Sequence, residues 1–149
     1  MADIVTPEKR SAMMSGIKGK DTRPEMTIRR GLHALGFRYR LDNRKIPGRP
    51  DLVLPKYNAV IFIHGCFWHQ HECHLFKWPS TRQEFWFDKI SENKERDKKT
   101  VERLLGEGWR VMIVWECTIR GKTRLDQPDL LNNISKWLQS KTAFREISA

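Results

Sequence analysis

The segment AVIFIHGCFWHQHECH, residues 59 to 74, decides how the chain is read. It opens as an unbroken apolar run, Val60 to Ile63, with the length and β-branched content of a buried strand, and turns abruptly into glycine, cysteine, histidine and bare aromatics. Four of the five histidines (His64, His69, His71, His74) and two of the three cysteines (Cys66, Cys73) fall within eleven positions. Chance clustering is a poor explanation for that density. The pattern predicts a metal-bearing strand end, with the rest of the chain as its scaffold and its grip on a substrate.

Upstream, Asp51 to Leu54 is a second short apolar run and Pro55 to Asn58 a turn, so the two runs are expected to form an antiparallel hairpin. Pairing outward from Lys56 and Tyr57 sets Asp51 opposite Ile63 or His64, to within about one residue. Phe37 to Leu41 alternates apolar and basic residues and reads as a half-buried strand. A helix is expected from about Pro24, capped near Thr22 or Arg23, through Ile28, Leu32 and Leu35 to a stop at Gly36. Glu25 opens its apolar face one turn before Ile28, where its carboxylate can point inward.

Downstream, Thr81-Arg82-Gln83-Glu84 has the capping-box pattern and starts a long helix ended by Gly106. Its apolar stripe of Trp86, Ile90, Val101 and Leu104 is interrupted on the same face by Asn93 and Asp97. An inward carboxylate costs desolvation unless it is paired or bound to a cation. Trp109 to Cys117 is a second continuous apolar strand, and the strand, helix, strand order makes it parallel to the first. Asp126 and Pro128 open a last helix with Leu130, Ile134, Trp137 and Leu138. The expected organisation is one α/β domain, a small mixed sheet flanked by helices: a basic arm at 1–23, a core at 24–139 and a loose tail at 140–149.

The chain has 149 residues, 39% of them hydrophobic, enough for one core. Its formal charge is +10, and residues 1 to 50 carry twelve Lys or Arg against five Asp or Glu, so most of the excess sits in the first third. That asymmetry suits an arm or face dedicated to phosphates. No apolar run approaches the roughly 18 to 20 residues of a membrane span, and the N-terminus lacks the apolar centre of a signal peptide. The expectation is a cytoplasmic, monomeric protein with no membrane association, in which three reduced cysteines serve as metal ligands rather than disulfides.

Parallel neighbouring strands finish at one sheet edge, so Cys66 and Cys117 should meet there. Adding Cys73 and a histidine, His71 first with His69 and His74 as alternatives, completes the tetrahedral Cys3His set of structural Zn2+. A harder cluster, Asp51, His64, His69, Asp97 and Glu25, suits Mg2+ with imidazole available to move a proton, which is phosphoryl-hydrolysis chemistry. Phe67 and Trp68, between the clusters, can wedge between base steps, where unstacking is cheapest at faulty pairing. Trp78 and Phe85 read instead as a small satellite core.

At this point the chain resembles the very short patch repair (Vsr) mismatch endonuclease family. The motifs that carry the resemblance are Pro47-Gly48-Arg49-Pro50-Asp51, Phe62-Ile63-His64-Gly65-Cys66-Phe67-Trp68-His69, His71 with Cys73, Glu84-Phe85-Trp86, Glu95-Arg96-Asp97, Gly108-Trp109-Arg110 and Val114-Trp115-Glu116-Cys117. The resemblance as a whole spans about residues 9 to 138. The resemblance implies a restriction-endonuclease-like core that nicks the T-bearing strand 5' of a T:G mismatch in double-stranded DNA, a lesion left by deaminated 5-methylcytosine. It implies Mg2+ on Asp51 and the main-chain oxygen of Ile63, with His69 as general acid or base. His64 and Asp97 would hold waters or phosphate, and Glu25 would sit further out. It further implies Zn2+ on Cys66, His71, Cys73 and Cys117, intercalation by Phe67, Trp68 and Trp86, an N-terminal arm across the DNA, and repair partners of the MutL type. Position 63 is Ile where the best-known member of the family has Thr, a change that a main-chain ligand tolerates and a side-chain role would not. The rival of another class is a zinc-stabilised mismatch or DNA-binding module without catalysis. A zinc hydrolase would need an open coordination position that three cysteines and a histidine do not leave.

Overall fold

The computed structural model describes residues 22–41, 44–69 and 71–149; the expected N-terminal arm up to residue 21, Met13 and Met14 included, lies outside the described residues. Helix α1 (Arg23–Ala34) is capped by Thr22, whose extended backbone lets its hydroxyl accept from the Glu25 N–H at 3.4 Å. It buries Ile28 and Leu32 completely. Gly36, at φ +97°, stops it while the Phe37 N–H returns to the Leu32 carbonyl at 3.0 Å. Phe37 to Leu41 makes less sheet than its alternation predicts: among the described residues only Arg40 pairs, in a single antiparallel bridge to Val53.

Strands β1 (Leu52–Leu54) and β2 (Ala59–His64) form the expected antiparallel hairpin. The turn consumes residues 55 to 58, so Leu54 pairs directly with Ala59 and Leu52 with Ile61. Extending that ladder brings Asp51 level with Phe62, short of the expected Ile63 or His64. Helix α2 (Gln83–Gly106) leads into β3 (Arg110–Trp115), which lies parallel to β2 from Ala59↔Arg110 to His64↔Trp115. Thr81 does not cap α2. The residue before the helix is Arg82, at φ +52°, and no side chain bonds to the helix start.

Helix α3 (Gln127–Leu138) follows, and then a strand the sequence reading missed. The tail taken as loose contains β4 (Phe144–Ile147), parallel to β3 from Val111↔Phe144 to Val114↔Ile147. Its order comes from period-2 alternation: Ile147 is buried while Phe144 and Glu146 remain exposed. The sheet order is β1-β2-β3-β4, mixed, with only β1 antiparallel.

Alternation along the strands divides the core into two layers. Leu52, Leu54, Ala59, Ile61, Met112 and Val114 face α1 and α3, packing on Ile28, Leu32, Leu130, Ile134, Trp137 and Leu138. Val53, Val60, Phe62, Val111, Ile113 and Trp115 face the other way, onto Leu104, with Val101 and Leu105 alongside. Each fully buried Leu or Ile contributes roughly 1.5 to 3 kcal/mol. No described helix is long and apolar enough to cross a membrane.

Arg110 ties α3 and the chain beyond it to the sheet. Its guanidinium lies 4.5 Å from the Trp137 ring and donates to the carbonyls of Tyr57 (3.2 Å), Trp137 (2.5 Å), Leu138 (3.1 Å) and Thr142 (3.1 Å). Those carbonyls include the last ones of α3, where Trp137 also accepts from the Ser140 N–H at 3.0 Å and hydroxyl at 2.7 Å. Arg110→Ala is expected to destabilise the fold by about 2 to 4 kcal/mol, because a charged donor to several carbonyls and a cation–π contact are lost together. The check is a lowered urea midpoint at unchanged slope.

Candidate active site and metal centre

Because β2 and β3 run in register, they stop at one level, and the turns leaving them meet. The chain leaving β2 brings Cys66, His71 and Cys73; the 3-10 turn Glu116–Thr118 after β3 brings Cys117. The four donor atoms lie within 4.8 Å of one another. The His71 Nδ1 is 3.5 Å from the Cys66 Sγ and 3.6 Å from the Cys117 Sγ, while His74 lies apart, its Nδ1 3.2 Å from the Thr123 hydroxyl. Burial, aided by the neighbouring thiols, pushes the Cys66 and Cys117 thiols up, and burial pushes His71 down. Crowded thiols that resist ionising alone, beside a neutral imidazole, are a donor set that a soft cation completes. The four residues can hold a metal ion.

Along the same edge sits the second group. Asp51 precedes β1, and its Oδ2 accepts the Ile63 N–H at 2.7 Å. The loop before it is pressed onto α2 at Gly48, which is at φ +77° and where a Cβ would collide with Thr100. Glu25, 2% exposed, pairs with Arg29 at 2.5 Å. Burial, and the Glu25 carboxyl bonded beside it, push Asp51 up to about 8. A buried carboxyl pair of that kind retains a proton unless a cation displaces it.

On the other face of β2, the His64 ring stacks on the His69 ring with centroids 3.8 Å apart and planes 4° from parallel. The His69 Nδ1 is bonded to the Asp97 Oδ2. Burial, then the nearby His69, push His64 down to about 3, and among the described residues its buried Nδ1 has no hydrogen-bond partner. His64, His69 and Asp97 also bring donor atoms within 4.8 Å. Nitrogen lone pairs lie in the ring plane, however, so one ion cannot serve two stacked parallel imidazoles. This trio can orient a ring and move a proton. With Nδ1–H held by the Asp97 carboxylate, the His69 Nε2 is left as an acceptor.

Asp51, Ile63, His64 and His69 line one cleft of about 750 Å³, with Glu25 in its wall. Asp97 does not share that lining. It borders a neighbouring cavity of about 580 Å³, so it adjoins the cleft through His69 rather than beside Asp51 as the sequence reading had it.

Phe67, Trp68 and Trp86 form one cluster of edge-to-face and tilted rings, at centroid distances of 5.2 to 5.8 Å, with Phe67 and Trp68 in the cleft wall. The Asn93 side chain donates to the Trp68 carbonyl at 3.1 Å, fixing that loop from α2. Trp78 and Phe85, read as satellite core, are instead 41% and 46% exposed. Sequence reasoning missed Trp115, whose ring stacks on His71 at 4.3 Å, meets His64 edge-on at 5.2 Å, and donates to Glu146 at 2.9 Å. The alternation of Phe144, Arg145, Glu146 and Ile147 was the available signal for its partner. Arg29, the counter-charge to Glu25 at i+4, was legible by helical spacing but was not singled out.

Comparison with known proteins bears on the whole arrangement. Residues 2–75 match the family described as DNA mismatch endonuclease Vsr. Across 147 residues the chain is 44% identical to the DNA mismatch endonuclease Vsr of Escherichia coli (strain K12), covering 99% of this chain and 94% of that relative. It is 43% identical over 119 residues to the type II nicking enzyme V.XorIIP of Xanthomonas oryzae pv. oryzae, covering 80% and 88% of the two chains. Against the type II nicking enzyme V.NmeAIP of Neisseria meningitidis the figures are 45% over 122 residues, 82% and 87%. Agreement of this depth over nearly the full length, on a chain whose sheet edge gathers these thiols, imidazoles and carboxyls, makes the chain a member of the Vsr DNA mismatch endonuclease family.

Proposed function

We propose that the chain nicks double-stranded DNA on the T-bearing strand 5' of a T:G mismatch, with Mg2+ at Asp51 and Zn2+ as a structural staple. The observation that carries the reading is the cleft in which a proton-retaining Asp51, beside Glu25, adjoins an imidazole already oriented by a carboxylate. Asp51 and the main-chain oxygen of Ile63 would hold Mg2+, which supplies positive charge against the phosphate and acidifies water. The His69 Nε2 takes the proton of the attacking water or returns one to the leaving oxygen, while Asp97 keeps the ring in the required tautomer. His64, held neutral, stacks on that ring and limits its rotation. Phe67, Trp68 and Trp86 present an aromatic wedge beside the cleft, which favours DNA whose stacking is already weakened. The +10 charge draws the duplex in. Cys66, His71, Cys73 and Cys117 would close four-coordinate around Zn2+, a scaffold set with no open position.

Duplexes carrying T:G, another mismatch or no mismatch, incubated with and without Mg2+, test the reading. Nicking confined to T:G with Mg2+ is expected, whereas mismatch binding without cleavage would identify a non-catalytic module. In the same assay Asp51→Ala should lower nicking by roughly a thousandfold or more with mismatch binding kept. His69→Ala should cost about 10² to 10⁴.

The native protein should contain about one zinc per chain. Cys117→Ser is expected to lose it and to melt at markedly lower temperature, as metal analysis and calorimetry would reveal; full stability without zinc would remove the staple.

The raised pKa of Asp51 sets a pH dependence. In the Mg2+-free protein a carboxyl raised in the folded state contributes stability below its unfolded pKa near 3.8, and this is lost as pH rises through about 8. Mg2+ competes with that proton, so its apparent affinity should weaken by about tenfold per pH unit below 8. Mg2+ titrations of the free protein should follow that slope between pH 6 and 8 and level off by pH 9, and a flat profile below 8 would contradict it.

A further inference from the structure

The geometry points to a DNA phosphate subsite on Arg120, held by Glu116 and tied through it to the loop that carries Phe67, Trp68 and His69. This deepens the proposed function and rests on it in one respect, that DNA occupies the cleft of about 750 Å³.

That cleft contains three carboxyl groups, Glu25, Asp51 and Glu116. A polyanion entering it needs fixed positive charge, and the described cations in its lining are Arg23 and Arg120. Arg120 follows the turn after β3. Its side chain is 65% exposed, and its NH1 donates to the Glu116 Oε2 at 2.9 Å. Among the described residues this is its one side-chain bond, which leaves most of the guanidinium donors for the paired, planar contact that phosphate oxygens accept.

Glu116 is only 19% exposed, and its other oxygen accepts the Cys66 N–H at 3.2 Å. One carboxylate therefore bridges a cation facing the cleft to the first backbone amide of the Cys66-Phe67-Trp68-His69 turn. A phosphate seated on Arg120 is thereby fixed in position relative to the aromatic wedge and the His69 ring. Glu116 is a positioning residue in this scheme and Arg120 a substrate contact. The Arg120 end of this pair is open to solvent, where an ion pair contributes little to stability and its charge is available for recognition.

The test is equilibrium binding of a T:G duplex in the absence of Mg2+, followed by fluorescence anisotropy over a range of NaCl concentrations. Arg120→Ala should weaken binding and lower the slope of log affinity against log salt by about one. Arg120→Lys should keep the slope. Arg103→Ala removes the same charge from the last turn of α2, at the opposite end of the strands, and should leave the slope unchanged. An unaltered slope in Arg120→Ala, or an equal loss in Arg103→Ala, would overturn the subsite. Glu116→Gln keeps an acceptor for the Cys66 amide and releases Arg120. It should retain the salt slope while single-turnover nicking at saturating enzyme falls several-fold; wild-type nicking would overturn the positioning role. Because the binding measurement needs no cleavage, a wild-type protein that binds but never nicks defeats the proposed enzyme and leaves the subsite standing. A nicking enzyme with an unaltered Arg120→Ala slope does the reverse.

Discussion

The site depends on a shortage of strand. β1 is three residues long and its ladder ends at Leu52↔Ile61, so β2 continues for three residues without a partner on that side. The Ile63 N–H lies in that stretch and would be an unsatisfied donor. Asp51 supplies the missing acceptor with its side chain, and that bond brings a carboxylate to the end of the sheet. One residue later the pleat turns His64 to the opposite face, toward α2 and Asp97. Two kinds of chemistry, a carboxyl pair on one side and an oriented imidazole on the other, are thus separated by a single peptide unit.

Both groups are electrostatically incomplete as protein alone. The thiols of Cys66 and Cys117 are held protonated by burial, and so is Asp51 beside Glu25. The cations that would relieve these two strains differ in softness: thiolate and imidazole favour zinc, carboxylate and carbonyl favour magnesium. Trp115 stands between the thiol cluster and the stacked imidazoles, packed on His71 and edge-on to His64, with its indole N–H fixed by Glu146 of β4. A strand at the far C-terminal end therefore sets a wall shared by both.

Much of this was legible in the sequence because it rests on periodicity and on scarce residue types. The buried strands, their parallel relation and the meeting of Cys66 with Cys117 follow from apolar runs and the strand, helix, strand order. Asp97 stands out because a carboxylate on an apolar stripe requires a reason. What escaped was fixed by tertiary contact. Asp51 is positioned by a backbone donor made available by the end of a neighbouring strand, which no local pattern encodes. Residues 144 to 147 carry a weak alternation that became a strand only because β3 offered an open edge. Thr81 had the right spacing for a cap, yet Arg82 adopts a left-handed conformation and the helix starts without one. The grouping of His64, His69 and Asp97 follows from the sequence, with imidazole available to move a proton; the stacking of the two rings and the bond from His69 to Asp97 are tertiary details that composition does not reveal.

The even pairing of β2 with β3, six residues on six with no bulge, has a consequence for how such a chain can change over time. Gaining or losing one residue within either strand would reverse the side on which every later residue emerges, exchanging Ile63 with His64 or rotating Trp115 out of its wall. Substitution is tolerable there and length variation is not. Growth or shrinkage has to be confined to the connections, such as the stretch before α2 or the one leading into α3.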